Sequence, residues 1–288
     1  MEIFVLKSDE VAAITRGTHG NPHHILGMHQ CLNDCYVNAY LPRATAAFVL
    51  RINEETGEPI FKYPMTEIGS QGFFTVKIED SGAFAYKLIT EGEQAAEFYD
   101  PYSFGYSVDP VNVMKVVNGD DGILSDFHVK DLFGARQITL DGVQGVSFCM
   151  NMPGATRVSV VGDFNGWDGR VNPMRRIDYT DMFELFIPGD LMNTRYKFEA
   201  LYRDGNTDIF ADPYAEVYEV APGNASVLAK LEYSWSDSSY MKKRGSVSAP
   251  VNIYEVHMPT WKRNSDGYPL NYLEFGKEAA MYLSLIHI

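Results

Sequence analysis

The sequence predicts a mainly β protein: two tandem immunoglobulin-like β-sandwich modules followed by one strand-and-helix unit. Most of its apolar segments alternate with period two and stop at Gly, Asp, Asn or Pro, the pattern of half-buried strands. An internal repeat recurs at an offset of roughly 110 residues, too long for a solenoid unit and suited to a duplicated small sandwich. After Pro250 the character changes to a compact apolar run and then helical spacing.

The elements follow in order. Residues 1–20 are a lead-in in which Ser8 is placed to cap a helix over residues 9–16 that stops at Gly17. The first sandwich is expected over residues 21–108. A linker rich in Asp and Gly follows at 109–143, where Ser125 is placed to cap a short helix over residues 126–133. In the second sandwich, 144–232, Val146, Phe148, Met150 and Met152 alternate with Ser147, Cys149 and Asn151. Likewise Tyr196, Phe198 and Ala200 alternate with Arg195, Lys197 and Glu199, one face inward and one outward. A second linker at 233–250 collects Ser, Lys and Arg. The last segment, 251–288, opens with an apolar strand over 251–257, and Asn271 then caps a helix in which Leu273, Gly276, Ala280 and Leu283 recur.

Four landmarks of the repeat keep their order. Leu41-Pro42-Arg43-Ala44-Thr45 echoes Met152-Pro153-Gly154-Ala155-Thr156, and Phe73-Phe74-Thr75-Val76 echoes Met182-Phe183-Glu184-Leu185. Tyr86-Lys87-Leu88 echoes Tyr196-Lys197-Phe198, and Asp100-Pro101-Tyr102-Ser103 echoes Asp212-Pro213-Tyr214-Ala215. Asp-Pro sets a bend and the Tyr packs back, so the last pair is turn structure rather than a site.

Composition narrows the function. Lys plus Arg number 24 against 38 Asp plus Glu, and the net charge of −14 repels phosphate backbones and anionic lipid. Nucleic acid and membrane are excluded as partners on that ground. Residues 3–6 are too short an apolar run for a signal peptide core, and three cysteines suit a reducing compartment, so a cytoplasmic location is expected. His29, Cys31 and Cys35 lie close together without a CxxC pair or a second half-set of ligands, so neither metal nor cofactor is expected.

The stretch with the most chemistry runs from Arg157 to Arg170, a β-branched strand leading into a loop that displays Trp167. Gly162, Gly166 and Gly169 surround the indole with backbone freedom, and Asp163, Asn165 and Asp168 with turn-forming polarity, a poor setting for burial. Two readings stand: a ligand platform, or a lid over the sandwich edge. The matching place in the first module, Ile52-Asn53-Glu54-Glu55-Thr56-Gly57, has no aromatic residue. If stacking is the activity, the second module carries it and the first is mainly structural.

A pyranose ring offers a flat C–H face and a rim of hydroxyls. Trp167 can supply the plane, Lys197 three donors on the outward phase of its strand, and Asn224 an amide, although a solvated lysine is the plainer reading of Lys197. Covering about 100 Å² of ring face contributes at most roughly 2.5 kcal/mol. One or two hydrogen bonds at about 1 kcal/mol each bring the total only to about millimolar affinity, which suits a polymer with many repeats. Tyr254, Glu255 and His257 have no visible partners on their apolar strand, and packing outweighs a catalytic role for them.

The sequence also resembles a known family. Asn21-Pro22-His23-His24-Ile25-Leu26-Gly27-Met28-His29 looks like the opening motif of the first N-terminal domain of bacterial 1,4-alpha-glucan branching enzymes of glycoside hydrolase family 13. Asp100-Pro101-Tyr102-Ser103-Phe104-Gly105 resembles the end of that domain, and Asp141-Gly142-Val143-Gln144-Gly145-Val146 the start of the next. Residues 158–170 with Pro173-Met174 resemble carbohydrate-binding module 48, and Ile253-Tyr254-Glu255-Val256-His257 with Trp261-Lys262-Arg263 the first strand of a catalytic (β/α)₈ barrel.

The resemblance implies that Trp167 and Lys197 match the module's sugar-stacking and sugar-bonding positions, and Asn224 its loop asparagine. The second tryptophan of the strongest binders is missing, with Asn206 and Thr207 in its place. It further implies a retaining glucanotransferase that cleaves α-1,4 links and forms α-1,6 links with an Asp nucleophile and a Glu acid/base on later barrel strands. No catalytic residue is therefore expected among these 288, the barrel start is expected to be truncated, and the fragment alone is expected only to bind α-glucan. Ser284-Leu285-Ile286-His287-Ile288 does not resemble the turn and second strand of the family. Two alternatives remain open: a stand-alone glycogen-binding protein and a fragment of a debranching enzyme.

Overall fold

A computed structural model describes residues 6–69, 71–80, 82–93, 95–119, 132–229, 234–243 and 253–286. The chain divides into two compact units, Met1–Leu231 and Glu232–Ile288. The first unit is built of antiparallel sheets. Its N-terminal half contains β1 (Gly27–Cys31), β2 (Asp34–Tyr40), β3 (Ala44–Ile52), β4 (Pro59–Pro64), β5 (Thr66–Ile68), β6 (Phe73–Ile78), β7 (Tyr86–Gly92) and β8 (Ala96–Tyr99). They form two sheets ordered β1-β2-β6-β5 and β4-β3-β7-β8. Val37, Val49, Ile78, Tyr86 and Leu88 fill the space between them.

The second half contains β9 (Gly134–Leu140), β10 (Val143–Asn151), β11 (Ala155–Gly162), β12 (Arg175–Arg176), β13 (Met182–Pro188), β14 (Arg195–Tyr202), β15 (Thr207–Phe210), β16 (Val217–Tyr218) and β17 (Ser226–Val227). Its sheets run β12-β13-β10-β9 and β11-β14-β17-β16, with β15 also paired to β14. The alternating residues Val146, Phe148 and Met150 of β10 meet Tyr196, Phe198 and Ala200 of β14 in one core.

The repeat in the sequence is a repeat in pairing register. Tyr40 lies opposite Phe73 as Asn151 lies opposite Met182, and Arg51 opposite Tyr86 as Gly162 opposite Tyr196. Both halves carry a bulge at the same place, between Ala44 and Ala46 and between Ala155 and Arg157. Both also bury a tyrosine–aspartate pair. Tyr86 Oη donates to Asp100 Oδ2 at 2.6 Å and Tyr196 Oη to Asp212 Oδ2 at 2.6 Å. The other carboxylate oxygens accept the backbone N–H of Tyr102 (2.9 Å) and Tyr214 (2.8 Å), closing the Asp-Pro-Tyr bends. Burial raises both carboxyls, Asp100 to about 6.

The first half is sewn to the second through its last residues. Tyr102 Oη is 3.2 Å from the carbonyls of Val171 and Pro173, and the Phe104 ring packs edge-on against Phe186 at 4.8 Å. Ser107 donates through N (3.0 Å) and Oγ (2.5 Å) to the fully buried Glu184, which Arg175 neutralises from the other side.

Several local expectations change. The first helix, α1 (Ser8–Thr15), starts at Ser8 itself; the cap position is Lys7, which makes no side-chain cap bond, while Asp9 and Glu10 face the positive helix end. The helix expected over 126–133 falls largely on residues 120–131, outside the described residues, and Leu132 and Phe133 are not helical. A helix does form earlier in the expected linker: α2 (Pro110–Val117), with Pro at its start and Asp109 Oδ1 accepting the Val111 N–H at 2.9 Å. It packs Val113 with Cys149, Ile177 and Met182, so the sheet face expected to be open at Cys149 is buried. Also inside that linker, β9 pairs with β10 through a hairpin at Asp141-Gly142, both at positive φ (48° and 77°).

The second unit contains α3 (Ser238–Lys243), α4 (Met258–Trp261) and α5 (Tyr272–Ile286). Of the strand expected over 251–257, residues 251 and 252 lie outside the described residues and 253–257 form no strand. A single extended segment has no ladder to satisfy its backbone groups, and Ile253 stays exposed. Among the described residues the expected strand-and-helix unit thus shows its helix and not its strand. Asn271 does cap α5: its Oδ1 accepts the Glu274 N–H (2.9 Å) and Glu274 Oε2 accepts the Asn271 N–H (3.1 Å). Trp261 packs edge-on to Phe275 at 5.3 Å.

Candidate ligand-binding surface around Trp167

β11 is the outer strand of its sheet, and the chain after Gly162 folds back along it. Val160 N donates to Asn172 O (3.1 Å), Met174 N to Val158 O (2.8 Å), and Ser159 bridges Pro173, so residues 163–173 form an ordered flap. Asn165, buried, holds the flap together. Its Nδ2 donates to Val160 O (2.8 Å) and Asn172 Oδ1 (2.9 Å), and its Oδ1 accepts from Gly162 N (2.9 Å) and Trp167 N (3.2 Å).

Gly166 and Trp167 both sit in the left-handed region, at φ 65° and 63°. A Cβ at Gly166 would meet the Arg43 guanidinium, the movable end of a flexible side chain, so it is the left-handed backbone that favours glycine here. For tryptophan the left-handed backbone costs about 1–2 kcal/mol, which the Asn165 bonds hold in place. The indole is 38% exposed. Its Nε1–H donates to Asp163 Oδ1 at 3.2 Å, which occupies the polar edge.

Asp163 continues the contacts. Arg195 reaches its two carboxylate oxygens with Nη2 (2.9 Å) and Nε (3.0 Å), and Arg195 Nη1 reaches Glu219 Oε1 at 3.1 Å. Glu219 Oε2 accepts the Ala225 N–H (3.0 Å), and the neighbouring Asn224 accepts from Lys197 Nζ through Oδ1 at 2.5 Å. Hydrogen bonds from Arg195 hold the Asp163 carboxyl below its usual range. The Ala225 N–H, then Arg195, does the same for Glu219, and the two carboxylates push Arg195 up.

Of the residues singled out from sequence, Lys197 and Asn224 are thus in direct contact, and Trp167 is joined to them through Asp163, Arg195 and Glu219. Those three were not picked out as site residues. Asp163 counted only as turn polarity and Arg195 only as an outward strand position; nothing in the sequence pairs them until β11 and β14 are aligned. The region of the missing tryptophan is the hairpin between β14 and β15, where Asn206 Nδ2 bonds Asp204 at 2.7 Å.

Near the N-terminus, Cys35, His23 and His29 are engaged within the fold. Cys35 Sγ donates to the Asp80 carbonyl (3.1 Å), His29 Nε2 is 3.1 Å from the Leu26 carbonyl, and His23 is held neutral by burial, its pKa lowered to about 2, edge-on to Tyr102. Among the described residues no three His, Cys, Asp or Glu side chains gather in a metal-holding group. Nor is any described helix long and apolar enough to cross a membrane.

The β-sandwich that carries this flap belongs to a module class that sequence comparison identifies. Residues 132–215 match carbohydrate-binding module 48 (isoamylase N-terminal domain). Residues 7–102 match the N-terminal domain of alpha-1,4-glucan branching enzyme GlgB. The chain is 35% identical over 97% of its length to the 1,4-alpha-glucan branching enzyme GlgB of Paramagnetospirillum magneticum, and 35% identical over 96% to that of Rhodospirillum rubrum. It spans 37% and 38% of those proteins, little more than a third of their length. Along nearly its whole length the chain is thus similar to the N-terminal region of GlgB branching enzymes. Among solved structures, a pullulanase from Paenibacillus barengoltzii is 32% identical over 27% of the chain and 12% of that protein, with a TM-score of 0.25.

Proposed function

We propose that this chain is the glucan-holding N-terminal region of a 1,4-alpha-glucan branching enzyme. In this reading residues 144–232, with β9 added, form the glucan-binding module, and residues 21–108 form the module packed against it. Trp167 stacks on the flat face of a glucosyl ring, and Lys197 and Asn224 hydrogen-bond its hydroxyls. The longer protein would cleave α-1,4 links and form α-1,6 links in glycogen, and none of the residues described here is given a catalytic role in that transfer. The partner is α-glucan, with no contact to nucleic acid or membrane, and the location is the cytoplasm, in keeping with the free thiols of Cys31, Cys35 and Cys149.

One observation carries the reading: an exposed indole whose polar edge is tied through Asp163, Arg195 and Glu219 toward the Lys197–Asn224 pair. A lid needs no such alignment, whereas a sugar site needs its plane and its donors held at fixed spacing. The test is affinity electrophoresis of the chain in a native gel containing glycogen. Wild type should be retarded and Trp167→Ala should migrate as in a gel without glycogen; equal retardation of the two would overturn the assignment.

A further inference from the structure

On the side of the flap toward the first module, Trp167 lines a cleft of about 530 Å³, within the size range of small-molecule sites. One wall is the flap itself, from Gly166 to Arg170; the floor is Arg157, Glu199 and Leu201; Thr207 closes one end. The remaining wall comes from the first module and its lead-in: Arg16, Gly17, Thr18 and Arg43.

Four polar side chains of the cleft pair with one another. Arg157 reaches Glu199 at 2.5 Å and the Gly169 carbonyl at 2.6 Å, and Arg170 reaches Asp168 at 2.7 Å. Arg43 lies near enough to help hold the Asp168 carboxyl low. Guanidinium and carboxylate side by side beside an indole offer donor and acceptor together, as adjacent hydroxyls of a neutral sugar require. An anion would meet four guanidiniums, Arg16, Arg43, Arg157 and Arg170, against the two carboxylates of Asp168 and Glu199; what favours a neutral sugar is that the cleft adjoins the Trp167 indole.

The floor is continuous with the Lys197 surface. Lys197, Glu199 and Leu201 share the outward phase of β14, and from the first to the last is about 14 Å at about 3.4 Å per residue. That is longer than one glucosyl ring. We propose that the Trp167 site is composite and elongated: an internal stretch of α-1,4-glucan several units long runs from the Lys197–Asn224 pair, across Trp167, into the cleft, where Arg43 and Arg16 of the first module bond its outer units. The first module is then a binding partner of the glucan and not only a support. This inference rests on the reading of Trp167 as a glucan platform.

The experiment is titration calorimetry of the full chain with maltotriose and maltoheptaose. Wild type should bind maltoheptaose about tenfold or more tightly than maltotriose. Arg43→Ala and Arg16→Ala should each lower maltoheptaose affinity about three- to tenfold, the loss of one charge-assisted hydrogen bond, and leave maltotriose affinity unchanged. The length split separates contact from support, because a flap loosened by the loss of Arg43 would weaken both sugars alike. Equal weakening of both by the two variants, no effect of either, or equal wild-type affinity for the two sugars would overturn the composite site. Absence of binding by wild type, or binding unchanged in Trp167→Ala, would overturn the glucan reading on which it rests.

Discussion

Asn165 is the residue on which the order of the Trp167 flap depends, and its removal has a calculable cost. It is 7% exposed and makes hydrogen bonds to Val160 O, Asn172 Oδ1, Gly162 N and Trp167 N. In Asn165→Ala the Trp167 N–H keeps its second partner, Gly162 O at 3.0 Å, but the Gly162 N–H and the buried Asn172 amide lose theirs. At about 1–3 kcal/mol for each of the two buried groups left unpaired, the loss is about 2–6 kcal/mol. A domain of ordinary stability holds about 5–15 kcal/mol, so the variant should still fold, with a Tm lower by roughly 5–20 °C. Urea unfolding followed by circular dichroism reads the stability, and the glycogen gel reads the site on the folded variant. The expected result is a destabilised chain with little or no binding, since the flap that holds Trp167 in its left-handed conformation has then lost its buried anchor. A loss below about 1 kcal/mol, or undiminished glycogen retardation, would refute the role given to Asn165.

Two further predictions concern pH. Burial lifts the Asp100 carboxyl from 3.8 to about 6, so the folded chain binds that proton more tightly than the unfolded chain. Stability from this group is therefore full below about 4 and lost as pH rises to about 6, by roughly 3 kcal/mol for two units at about 1.4 kcal/mol each. Asp100→Asn, which keeps an acceptor for Tyr86, should remove that slope: the stability difference between wild type and variant, from urea midpoints, should favour wild type more at pH 4 than at pH 7. A difference independent of pH would refute it. Asp163 and Glu219 behave oppositely, since their lowered carboxyls stay ionised through the usual range and their contribution is lost only as pH falls below it. Glycogen retardation should hold level from pH 8 to about 4.5 and fall only at lower pH; a fall near pH 6 would refute the Asp163–Arg195–Glu219 arrangement.

What could be read from the sequence divides along physical lines. Alternation in β10 and β14 was legible because each strand buries one side against the opposing sheet, and the repeat was legible because both halves keep the same register and the same bulge. Exposure of Trp167 followed from its turn-forming neighbours. The Asp163–Arg195–Glu219 bonds were not legible, since residues 163, 195 and 219 meet only once Gly162 is set opposite Tyr196 and β16 is set beside β17. The hairpin signal Asp141-Gly142 was present but outweighed by the loop-like composition around it, which hid β9. The apolar run at 253–257 failed for the opposite reason: its residues favour a strand, but a strand needs a partner that local sequence does not supply.

The duplicated register also explains why the exposed aromatic residue of the second module sits on a flap, whereas Phe61 of the first sits on a paired strand. β3 and β11 occupy equivalent places, each paired on one side with β7 or β14. In the first module the chain leaves β3 through a closed turn, in which Asn53 Oδ1 accepts the N–H groups of Glu55 (2.9 Å) and Thr56 (3.0 Å), and returns as β4 fully paired along β3. A paired strand satisfies the edge of the sheet but spaces its side chains by the pleat. In the second module the chain returns along β11 through a single bridge, Ser159 with Pro173, made by two backbone hydrogen bonds, and the released backbone can take the left-handed turn at Gly166 and Trp167. Exchanging a strand for a flap leaves the edge covered and gives up part of the ladder. What it supplies is an indole held over the outward face of β14, beside the side chains of the other module.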